Sequence, residues 1–400
     1  MNAVTTDAPP LADTAPRVSA VMPCLNEELT LARCIRKAQQ CFLDLGVSGE
    51  VIIADNGSTD RSVSIAIGLG ARVVHQPLPG YGAALMMGIE AARGEYVVIA
   101  DADDSYDWLA MKPFLERLDA GSDLVIGNRF RGGIGPGAMP PLHRYLGNPV
   151  LSWLARATHG APVGDFHCGM RALRRAAWER MRMRTPGMEF ATEMIVNSVQ
   201  AGLRIAEVPT TLTKDGRDRA PHLRSFRDGW RHLRFILTYA PDFLYFAPGG
   251  ALFLIGALLT GLLASGPTTL AGHYLGIHFL ALGCLLTLMG FNVMNLGVLA
   301  KVIAMRLSPA RPSTVARWAV RRFSLEGGLI AGVALILAGG AVDVDLICTW
   351  LRAPGEPMES TVHLVFVATL MIVLGFNLVF GSFLLSMLVN EELATQRPRG

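Results

Sequence analysis

Short apolar runs rich in β-branched residues recur along residues 1–240, and stretches with helical periodicity separate them. Strands that alternate with helices in this way form βαβ units and pair in a mostly parallel sheet. Five strands are predicted, at residues 18–22, 50–54, 71–75, 95–100 and 123–127. The front half is therefore predicted to contain an α/β domain over residues 17–215.

The back half is almost uniformly apolar. Residues 243–300 contain no Asp, Glu, Lys or Arg, and about 20 apolar residues suffice for a helix to cross a ~30 Å hydrocarbon core. An all-α transmembrane domain of about four helices is predicted over residues 243–400, with spans near residues 247–265, 277–299, 327–349 and 362–389. Asp343 and Asp345 in the third span are either an intramembrane functional pair or markers of its outer end.

Basic residues concentrate in the loop predicted between the second and third spans. They are Lys301, Arg306, Arg311, Arg317, Arg321 and Arg322. Short loops rich in Lys and Arg favour the cytoplasmic side of a membrane. The pattern predicts a multi-pass protein of the cytoplasmic (inner) membrane, with its front half, this loop and its C-terminal tail in the cytoplasm.

The composition agrees with a membrane protein, because 51% of residues are hydrophobic and only 17% are charged, against about 25% in soluble proteins. A net charge of +3 is too small to indicate a nucleic-acid partner. The six cysteines form no C-x-x-C pair, so neither a zinc site nor a disulfide framework is indicated. Residues 1–16 have no basic region followed by an apolar stretch and are predicted to be a disordered tail, not a signal peptide.

Polar segments follow three of the predicted strands: Pro23–Glu28, Asp55–Asp60 and Asp101–Asp104. The carboxyl ends of parallel strands lie at one edge of a sheet, so these segments are expected to meet there. Two carboxylates in an Asp-x-Asp repel each other unless a cation neutralises them. Mg²⁺ or Mn²⁺ would do so, taking a few carboxylate oxygens together with phosphate oxygens of a substrate.

Two other phosphate-binding patterns are missing, since neither G-x-G-x-x-G after the first strand nor G-x-x-x-x-G-K-[ST] occurs. Dinucleotide and P-loop sites are therefore disfavoured. The glycine-rich stretch Gly133–Gly137 is equally compatible with a plain linker and with a flap over the site.

Five ordered motifs across residues 17–235 resemble the inverting family 2 glycosyltransferases of the GT-A fold, in particular the dolichol- or polyprenyl-phosphate sugar synthases. They are P-x-x-N-E at Pro23–Glu27, D-x-G-S-x-D at Asp55–Asp60, D-x-D at Asp101–Asp103, Gly127-Asn128-Arg129 in place of Gly-Ser-Arg, and Asp165–Arg171. The resemblance implies a Rossmann-like, mostly parallel catalytic domain. The nearest string to the Q-x-x-R-W of processive synthases, at Thr314–Trp318, lacks the Gln, which favours transfer of a single sugar.

The resemblance also implies roles for individual residues. It assigns nucleotide binding to Pro23, Leu25, Glu27, Asp55, Asn56, Asp101 and Ala102, the metal to Asp101 and Asp103, and phosphate to Arg129. Asp103, Arg129 and Asp165 are the predicted catalytic residues, with Asp165 as the acidic group near the anomeric carbon; its alternative role is to cap the following segment. The sequence departs from the family at two positions. The family often has Asp where this chain has Asn56, and often has Gln where it has Ser105. These departures affect the expected contact with the base and the expected third metal ligand.

A basic amphipathic segment, residues 216–242, joins the two halves. Leu223, Phe226, Trp230, Leu233 and Leu237 recur at helical spacing, with arginines on the other face, as in helices that lie on anionic membranes. The predicted binding site for the acceptor phosphate lies around this segment, at Lys214, Arg217, Arg219 and Arg224. Glu189 and Glu193 lie one helical turn apart and face either the acceptor or solvent.

The predicted function is transfer of one hexose, glucose or mannose, from a UDP- or GDP-sugar to a polyprenyl phosphate on the cytoplasmic leaflet. The predicted partners are this donor, this lipid, the membrane and a second copy of the chain in a homo-oligomer, without nucleic acid. The alternatives are transfer to another lipid or glycan, and a membrane transporter or scaffold with a non-catalytic sugar-nucleotide sensor. The membrane half lacks paired broken helices with interior charges, which disfavours transport.

Overall fold

The computed structural model describes residues 15–216, 225–238, 240, 242–307, 323–352 and 361–395. The chain divides into two compact units, Met1–Ile236 and Leu237–Gly400. Most of the predicted tail lies outside the described residues, as do Arg217, Arg219 and Arg224 of the predicted acceptor site. Four arginines of the predicted basic loop lie outside them too: Arg311, Arg317, Arg321 and Arg322.

The first unit is a seven-stranded sheet covered by helices. Its strands are β1 Val18–Cys24, β2 Gly49–Asp55, β3 Arg72–His75, β4 Tyr96–Ile99, β5 Leu124–Asn128, β6 Arg171–Arg174 and β7 Ile205–Pro209. Its helices are α1 Leu31–Asp44, α2 Ser62–Gly68, α3 Tyr81–Ala91, α4 Lys112–Asp119, α5 Arg129–Gly132, α6 Asn148–His159, α7 Arg175–Met181, α8 Phe190–Gln200 and α9 Ser225–Thr238. The α/β class and the five predicted strands are confirmed.

The strand order is β3-β2-β1-β4-β6-β5-β7. Neighbouring strands are parallel except at β6, which runs antiparallel to both β4 and β5. Arg171, the first residue of β6, pairs with Ile99 of β4 and with Ile126 of β5. Because β6 begins where its neighbours end, the loop that precedes it reaches the edge at which the polar segments lie.

The core forms because β1 is apolar on both faces except at Ser19, whose hydroxyl donates to Glu50 at 2.7 Å. Val18, Ala20, Val21 and Met22 are fully buried, as expected of a central strand covered on both sides. Helix α1 buries one stripe at helical spacing: Leu31, Cys34, Ile35, Ala38, Cys41 and Phe42. All six cysteines of the chain are free thiols.

The second unit consists of long apolar helices: α10 Ala247–Leu263, α11 Ile277–Leu307, α12 Leu325–Arg352 and α13 Val362–Thr395. Within the described residues, four segments are long and apolar enough to cross a membrane: Asp242–Leu263, Ile277–Ile303, Leu325–Arg352 and Val362–Val389. This agrees with the four predicted spans. The predicted turn between the first two contains a small hairpin, β8 Thr268–Leu270 and β9 His273–Leu275. Asp343 and Asp345 lie inside α12, which continues to Arg352, and both interpretations of this pair stay predictions.

Glycines allow the helices of this unit to pack closely. A Cβ on Gly256 of α10 would overlap the backbone nitrogen of Thr287 and lie 2.7 Å from the oxygen of Gly283, both on α11. A Cβ on Gly375 of α13 would lie 2.6 Å from the oxygen of Gly332 on α12. Small residues at such contacts are typical of helix association in membranes, where dispersion contacts replace the hydrophobic effect.

We expect Gly256→Leu to destabilise the α10–α11 pair by about 1–3 kcal/mol, because the added side chain has no space. Gly261, on the same helix, has no heavy atom within 4 Å of its Cβ position, so Gly261→Leu is the matched control. Thermal unfolding of the full-length protein in one detergent should show a lower midpoint for Gly256→Leu alone. Equal midpoints for the two variants would contradict this packing.

The prediction that Lys301 belongs to a loop is wrong. It lies inside α11, is 5% exposed, forms an ion pair with Asp242, and has its Nζ 5.2 Å from the centre of the Phe246 ring. A carboxylate partner and an aromatic face make a lysine tolerable in an apolar helix. The helix therefore continues beyond the charge at which the loop was predicted to begin.

Candidate active site

The segments that follow β1 and β2 are joined by hydrogen bonds. Asn26 has a φ of +58°, and its Oδ1 accepts a bond from the Thr59 backbone at 2.7 Å. Glu27 is buried, and its backbone nitrogen donates to Ser62 Oγ at 2.8 Å. These contacts bring the predicted nucleotide-binding segments together on one surface.

Asp55 ends β2 and is 3% exposed. Its Oδ1 accepts a bond from the Ser58 backbone at 3.1 Å, and its Oδ2 lies 3.1 Å from His75 Nδ1. Burial alone would raise the pKa of Asp55, but hydrogen bonds from Ser58, His75 and Gly57 lower it below the ordinary value. The carboxylate is therefore charged and held in one orientation at neutral pH.

The third segment, Asp101–Asp104, contacts the start of α1. Thr30 Oγ1 donates to the oxygen of Ala102 at 2.8 Å. Arg33 and Lys37 each bond to Asp104 at 2.8 Å. The structure thus brings the ends of β1, β2 and β4 to one edge of the sheet, as the topology rule predicts.

The two aspartates of the D-x-D are held differently. Asp103 is 8% exposed, and its Oδ1 accepts bonds from the Ser105 backbone at 3.0 Å and from Ser105 Oγ at 2.6 Å. The carboxylate of Asp101 is hydrogen-bonded to Tyr81, whose pKa is raised well above the ordinary value, mainly by burial. Ser105 thus orients Asp103 in this structure.

The surroundings of Asp101 fit a bound cation. A Cβ on Gly169 would lie 2.9 Å from Asp101 Oδ2, so only glycine leaves space beside that oxygen. Within the described residues no group of three or more His, Cys, Asp and Glu could hold a metal ion by itself. Two carboxylates suit Mg²⁺ or Mn²⁺ sites that substrate phosphates and water complete.

Arg129 and Asp165 form a buried ion pair. Arg129 Nε and Nη2 bond to Asp165 Oδ2 and Oδ1 at 2.7 and 2.8 Å, and the Arg129 backbone nitrogen adds a third bond at 3.1 Å. Arg129 is 7% exposed and Asp165 is 0% exposed. Burial opposes the charge of Arg129, but Tyr106 and Asp165 raise its pKa above the ordinary value. Asp165 therefore fixes the orientation of the guanidinium.

Arg171 holds the loop that contains Asp165. Its guanidinium, which is almost fully buried, donates to the oxygens of Phe166, Cys168 and Ala191 at 2.8, 2.9 and 2.6 Å. Burial lowers the pKa of Arg171. Because these three carbonyls belong to the loop and to the start of α8, Arg171 clamps one to the other.

Glu207 of β7 is a site residue that sequence reasoning missed. Its Oε1 accepts bonds from the backbones of Gly164 and Asp165 at 2.6 and 3.1 Å, and Asn128 Nδ2 donates to it at 3.2 Å. Asn128 also caps α5 by accepting a bond from the Arg131 backbone at 3.0 Å. The available signal was one acid within an otherwise apolar five-residue strand.

Comparison with known proteins identifies the family. Residues 19–182 match the model for glycosyl transferase family 2, and residues 298–389 match that for the glycosyltransferase family 2 C-terminal transmembrane region. The low-salt glycan biosynthesis hexosyltransferase Agl6 of Haloferax volcanii is 41% identical over 94% of this chain and 90% of that protein. The chain belongs to glycosyl transferase family 2. It is a membrane glycosyltransferase, and the resemblance drawn from the five motifs is confirmed.

Other known proteins are similar to part of this glycosyltransferase. A dolichyl-phosphate hexose transferase of H. volcanii is 37% identical over 48% of this chain and 81% of its own length. The crystal structure of Mycobacterium tuberculosis glucosyl-3-phosphoglycerate synthase with Mn²⁺, UDP-glucose and phosphoglyceric acid is 25% identical. It covers 55% of this chain and 79% of its own, with a TM-score of 0.44.

The glycine-rich stretch of this glycosyltransferase is hydrogen-bonded to Leu212, and its two predicted roles, plain linker and flap over the site, both stay open. Gly135 donates to the oxygen of Leu212 at 2.8 Å, and Leu212 donates to the oxygen of Gly133 at 3.0 Å. The chain after Leu212 then crosses the D-x-D, since Gly216 donates to the oxygen of Asp103 at 3.0 Å. Lys214 is exposed on this crossing segment, and its predicted acceptor role stays a prediction.

Glu193 does not face an acceptor. It is 4% exposed, and its carboxylate binds the backbones of Arg184 and Thr185 and the hydroxyl of Thr185. Glu189 Oε2 and both ring nitrogens of His167 are buried without a hydrogen-bond partner among the described residues. Burial, and after it the nearby His232, holds the pKa of His167 well below its ordinary value, so this imidazole is neutral at pH 7.

Helix α9, Ser225–Thr238, confirms that the predicted amphipathic segment contains a helix. His232, Phe235 and Ile236 are buried, and Thr192 Oγ1 lies 2.9 Å from His232 Nδ1. Trp230 is 59% exposed and shares its face with Arg227 and Arg234, which are also exposed. The buried stripe, which includes a histidine, was not predicted, and the predicted contact of the opposite, apolar face with a membrane stays a prediction. Leu223 and the side chain of Phe226, both assigned to that face, lie outside the described residues.

A second apolar surface lies on α6 and on the π-helical turn before it, His143–Gly147 with the preceding Leu142. Five large side chains there are 47–73% exposed: Leu142, Tyr145, Leu146, Val150 and Trp153. The helix contacts α9, since His159 Nε2 lies 3.3 Å from the oxygen of Ile236. The exposed apolar side chains of α6, of the turn before it and of α9 are together called the Trp153–Trp230 face, and sequence reasoning recognised them only in part.

Proposed function

We propose that this glycosyltransferase transfers a single hexose, glucose or mannose, from UDP- or GDP-hexose to a polyprenyl phosphate at the cytoplasmic leaflet. One observation carries the proposal: the D-x-D lies against the segments that follow β1 and β2, in a chain whose described residues also contain four candidate membrane spans. The named activity of the dolichyl-phosphate hexose transferase supports the acceptor class.

The donor would bind at the edge where the three segments meet. Asp55 and Glu27 offer carboxylates near β1 and β2 for the nucleoside, and Asp101 with Asp103 would hold Mg²⁺ or Mn²⁺ at the diphosphate. A bound divalent cation would neutralise the charge that develops on the departing diphosphate. The pairing of Arg129 with Asp165 presents a guanidinium in fixed orientation, which supports a role in binding phosphate oxygens.

The acceptor needs little activation. A phosphate monoester carries a charge of about −1.5 to −2 at pH 7, so its oxygen is already an anionic nucleophile. Asp165 has both oxygens occupied by Arg129, which favours positioning of Arg129 over direct contact at the anomeric carbon. The described residues thus support chemistry by charge stabilisation rather than by a strong base.

The Trp153–Trp230 face supports contact with the membrane surface. Tryptophan and tyrosine are enriched at the interface of bilayers, and arginines beside them attract anionic headgroups. Exposed apolar surface of this kind is uncommon on soluble monomers. The face would hold the catalytic unit at the depth where a lipid-borne phosphate lies.

We expect tryptophan fluorescence to locate this face at the bilayer. The emission of Trp153 and of Trp230 is obtained as the difference between wild type and Trp153→Phe or Trp230→Phe. In nanodiscs, brominated lipids should quench the emission of both tryptophans. Trp178, whose ring lies 6.4 Å from that of Phe190, is the control, and the emission lost in Trp178→Phe should be unquenched. Quenching at none of the three sites would place the face in water.

The cytoplasmic orientation is tested separately. Gly272 lies in the turn between β8 and β9 and has a φ of +82°, so a reporter inserted there should disturb the helices little. We expect this reporter to lie outside the cytoplasm. A cytoplasmic signal would reverse the proposed orientation.

The function itself is tested by transfer of radiolabelled sugar from a panel of UDP- and GDP-hexoses to short polyprenyl phosphates. Purified full-length protein should give product from one donor with Mn²⁺ or Mg²⁺ and none with EDTA. Product with a different lipid or glycan but not with polyprenyl phosphate would correct the acceptor. Nucleotide binding without any transfer would favour a sensor.

A further inference from the structure

The side chain of Asn56 makes three hydrogen bonds with one loop. Asn56 Nδ2 donates to the oxygens of Gln76 and Leu78 at 2.9 and 2.8 Å, and its Oδ1 accepts from the Gly80 backbone at 2.7 Å. An amide offers two N–H donors and one acceptor, which match two carbonyls and one N–H. The amide is thereby occupied by the segment 76–80, here called the proline loop.

The proline loop is also fixed at both of its ends. Gln76 donates through its backbone to the oxygen of Asp55 at 2.8 Å, and its side chain donates to the oxygen of Ala83 at 3.2 Å. Gly80 has a φ of +147°, and a Cβ there would overlap the backbone oxygen of Pro186. The loop therefore has one supported conformation, and Asn56 supplies the central support.

The position of the loop relates it to the donor. It follows β3, which pairs in parallel with β2, so it lies at the same sheet edge as Asp55. Pro77, Leu78 and Pro79 are exposed there. Apolar rings and side chains of this kind suit the face of a nucleoside base, whose edges need polar partners elsewhere.

We propose that Asn56 is a positioning residue: it fixes the proline loop as an apolar wall of the donor-nucleotide site and does not read the base itself. The inference rests on the proposed function only for the identity of the ligand. It also accounts for the asparagine at a position where the family often has aspartate. A carboxylate would face two carbonyl oxygens without a proton to donate, which is unfavourable for its charged form.

The test compares Asn56→Asp and Asn56→Ala with Gln39→Glu in the full-length protein. Gln39 is the matched control because its amide donates to one backbone carbonyl, that of Leu69, at 2.8 Å outside the site. Calorimetry measures UDP and GDP affinity, and transfer kinetics give KM and kcat. We expect both Asn56 variants to weaken binding of the preferred diphosphate by about tenfold or more, consistent with lost hydrogen bonds, with kcat within about threefold.

The pH dependence separates this role from a merely structural one. Titratable side chains near position 56 include Asp55, His75, which lies 3.1 Å from Asp55, and Cys24, whose backbone oxygen accepts a bond from Asn56. The affinity of Asn56→Asp is therefore divided by the wild-type affinity at each pH. A carboxyl facing carbonyl oxygens has a pKa above its usual value of about 4, and its protonated form donates one hydrogen bond. The ratio should therefore move toward one as pH falls from 8 to 5, whereas Asn56→Ala should show no such recovery.

Two outcomes would overturn the inference: a changed preference between UDP and GDP, which means direct reading of the base, or unchanged affinity. Hydrogen exchange gives a readout that needs no ligand. Amides of residues 76–84 should exchange at least about tenfold faster in Asn56→Asp than in wild type or Gln39→Glu. If the wild-type protein binds neither UDP nor GDP, the proposed function is wrong. The hydrogen-exchange rates of residues 76–84 would still decide whether Asn56 fixes the proline loop.

Discussion

Replacing Asp103 with asparagine is expected to lower sugar transfer by about 10³-fold, or roughly 4 kcal/mol of activation free energy. The substitution removes one of the two carboxylates proposed to hold the divalent cation. An asparagine oxygen can still accept the bonds that Ser105 now donates to Asp103 Oδ1. The loss should therefore fall on cation binding and rate, with little change in folding.

Asp104→Asn is the matched control for this prediction. Asp104 has a φ of +62°, which asparagine tolerates, and it bonds to Arg33 and Lys37 outside the D-x-D. Partly exposed ion pairs contribute about 0–1 kcal/mol, so transfer should stay within about fivefold of wild type. Rates and the Mn²⁺ concentration for half-maximal rate are measured for both variants. A similar Mn²⁺ requirement in Asp103→Asn and wild type would remove Asp103 from the cation site.

The sequence was sufficient to predict the parallel part of the sheet. The run Val18–Met22 is apolar on both faces except at Ser19, which is typical of a central strand that helices cover on both sides in an α/β sheet. The rule that polar segments collect at the carboxyl ends of parallel strands then brought Asp55 and Asp101 to one edge without knowledge of any contact.

The contacts that complete the site could not be predicted in the same way. Strand β6 has only four residues and begins and ends with arginine, so it has neither the length nor the apolar pattern of the strands that were found. Without β6, nothing indicated that the loop before it reaches the edge of the sheet. The pairing of Arg129 with Asp165 depends on that antiparallel insertion, since the two residues lie 36 positions apart.

Roles inferred by resemblance were limited by another cause. Motif similarity identifies which side chains lie near the ligand but not which of them support other parts of the protein. Asn56 is committed to a loop, and Glu193 binds the backbone of Arg184 and Thr185. Such contacts depend on which loop lies beside each side chain in the folded protein. The periodicity of a single sequence does not contain this information.

Replacing Asp165 with asparagine is expected to lower the free energy of unfolding of the catalytic unit by about 3–5 kcal/mol. The variant leaves the Arg129 guanidinium buried at 7% exposure without its carboxylate. Removing one partner of a buried pair costs far more than the pair contributes, because the remaining charge has lost its solvation and its counter-ion. Chemical unfolding of the full-length protein in detergent measures this change in the free energy of unfolding, and calorimetry of the same variants then provides a second measurement.

Asp119→Asn provides the comparison, because Arg17 Nη2 bonds both oxygens of Asp119 at 2.7 and 2.9 Å, but the two side chains are 42% and 46% exposed. Loss of that exposed pair should cost at most about 1 kcal/mol. The double variant Asp165→Leu with Arg129→Met removes both charges and should regain much of the stability without regaining transfer. A double variant that is stable but inactive is the result expected if the role of the ion pair is to orient Arg129 toward phosphate. A double variant as unstable as Asp165→Asn would instead mean that the lost stability comes from packing and not from the unpaired charge.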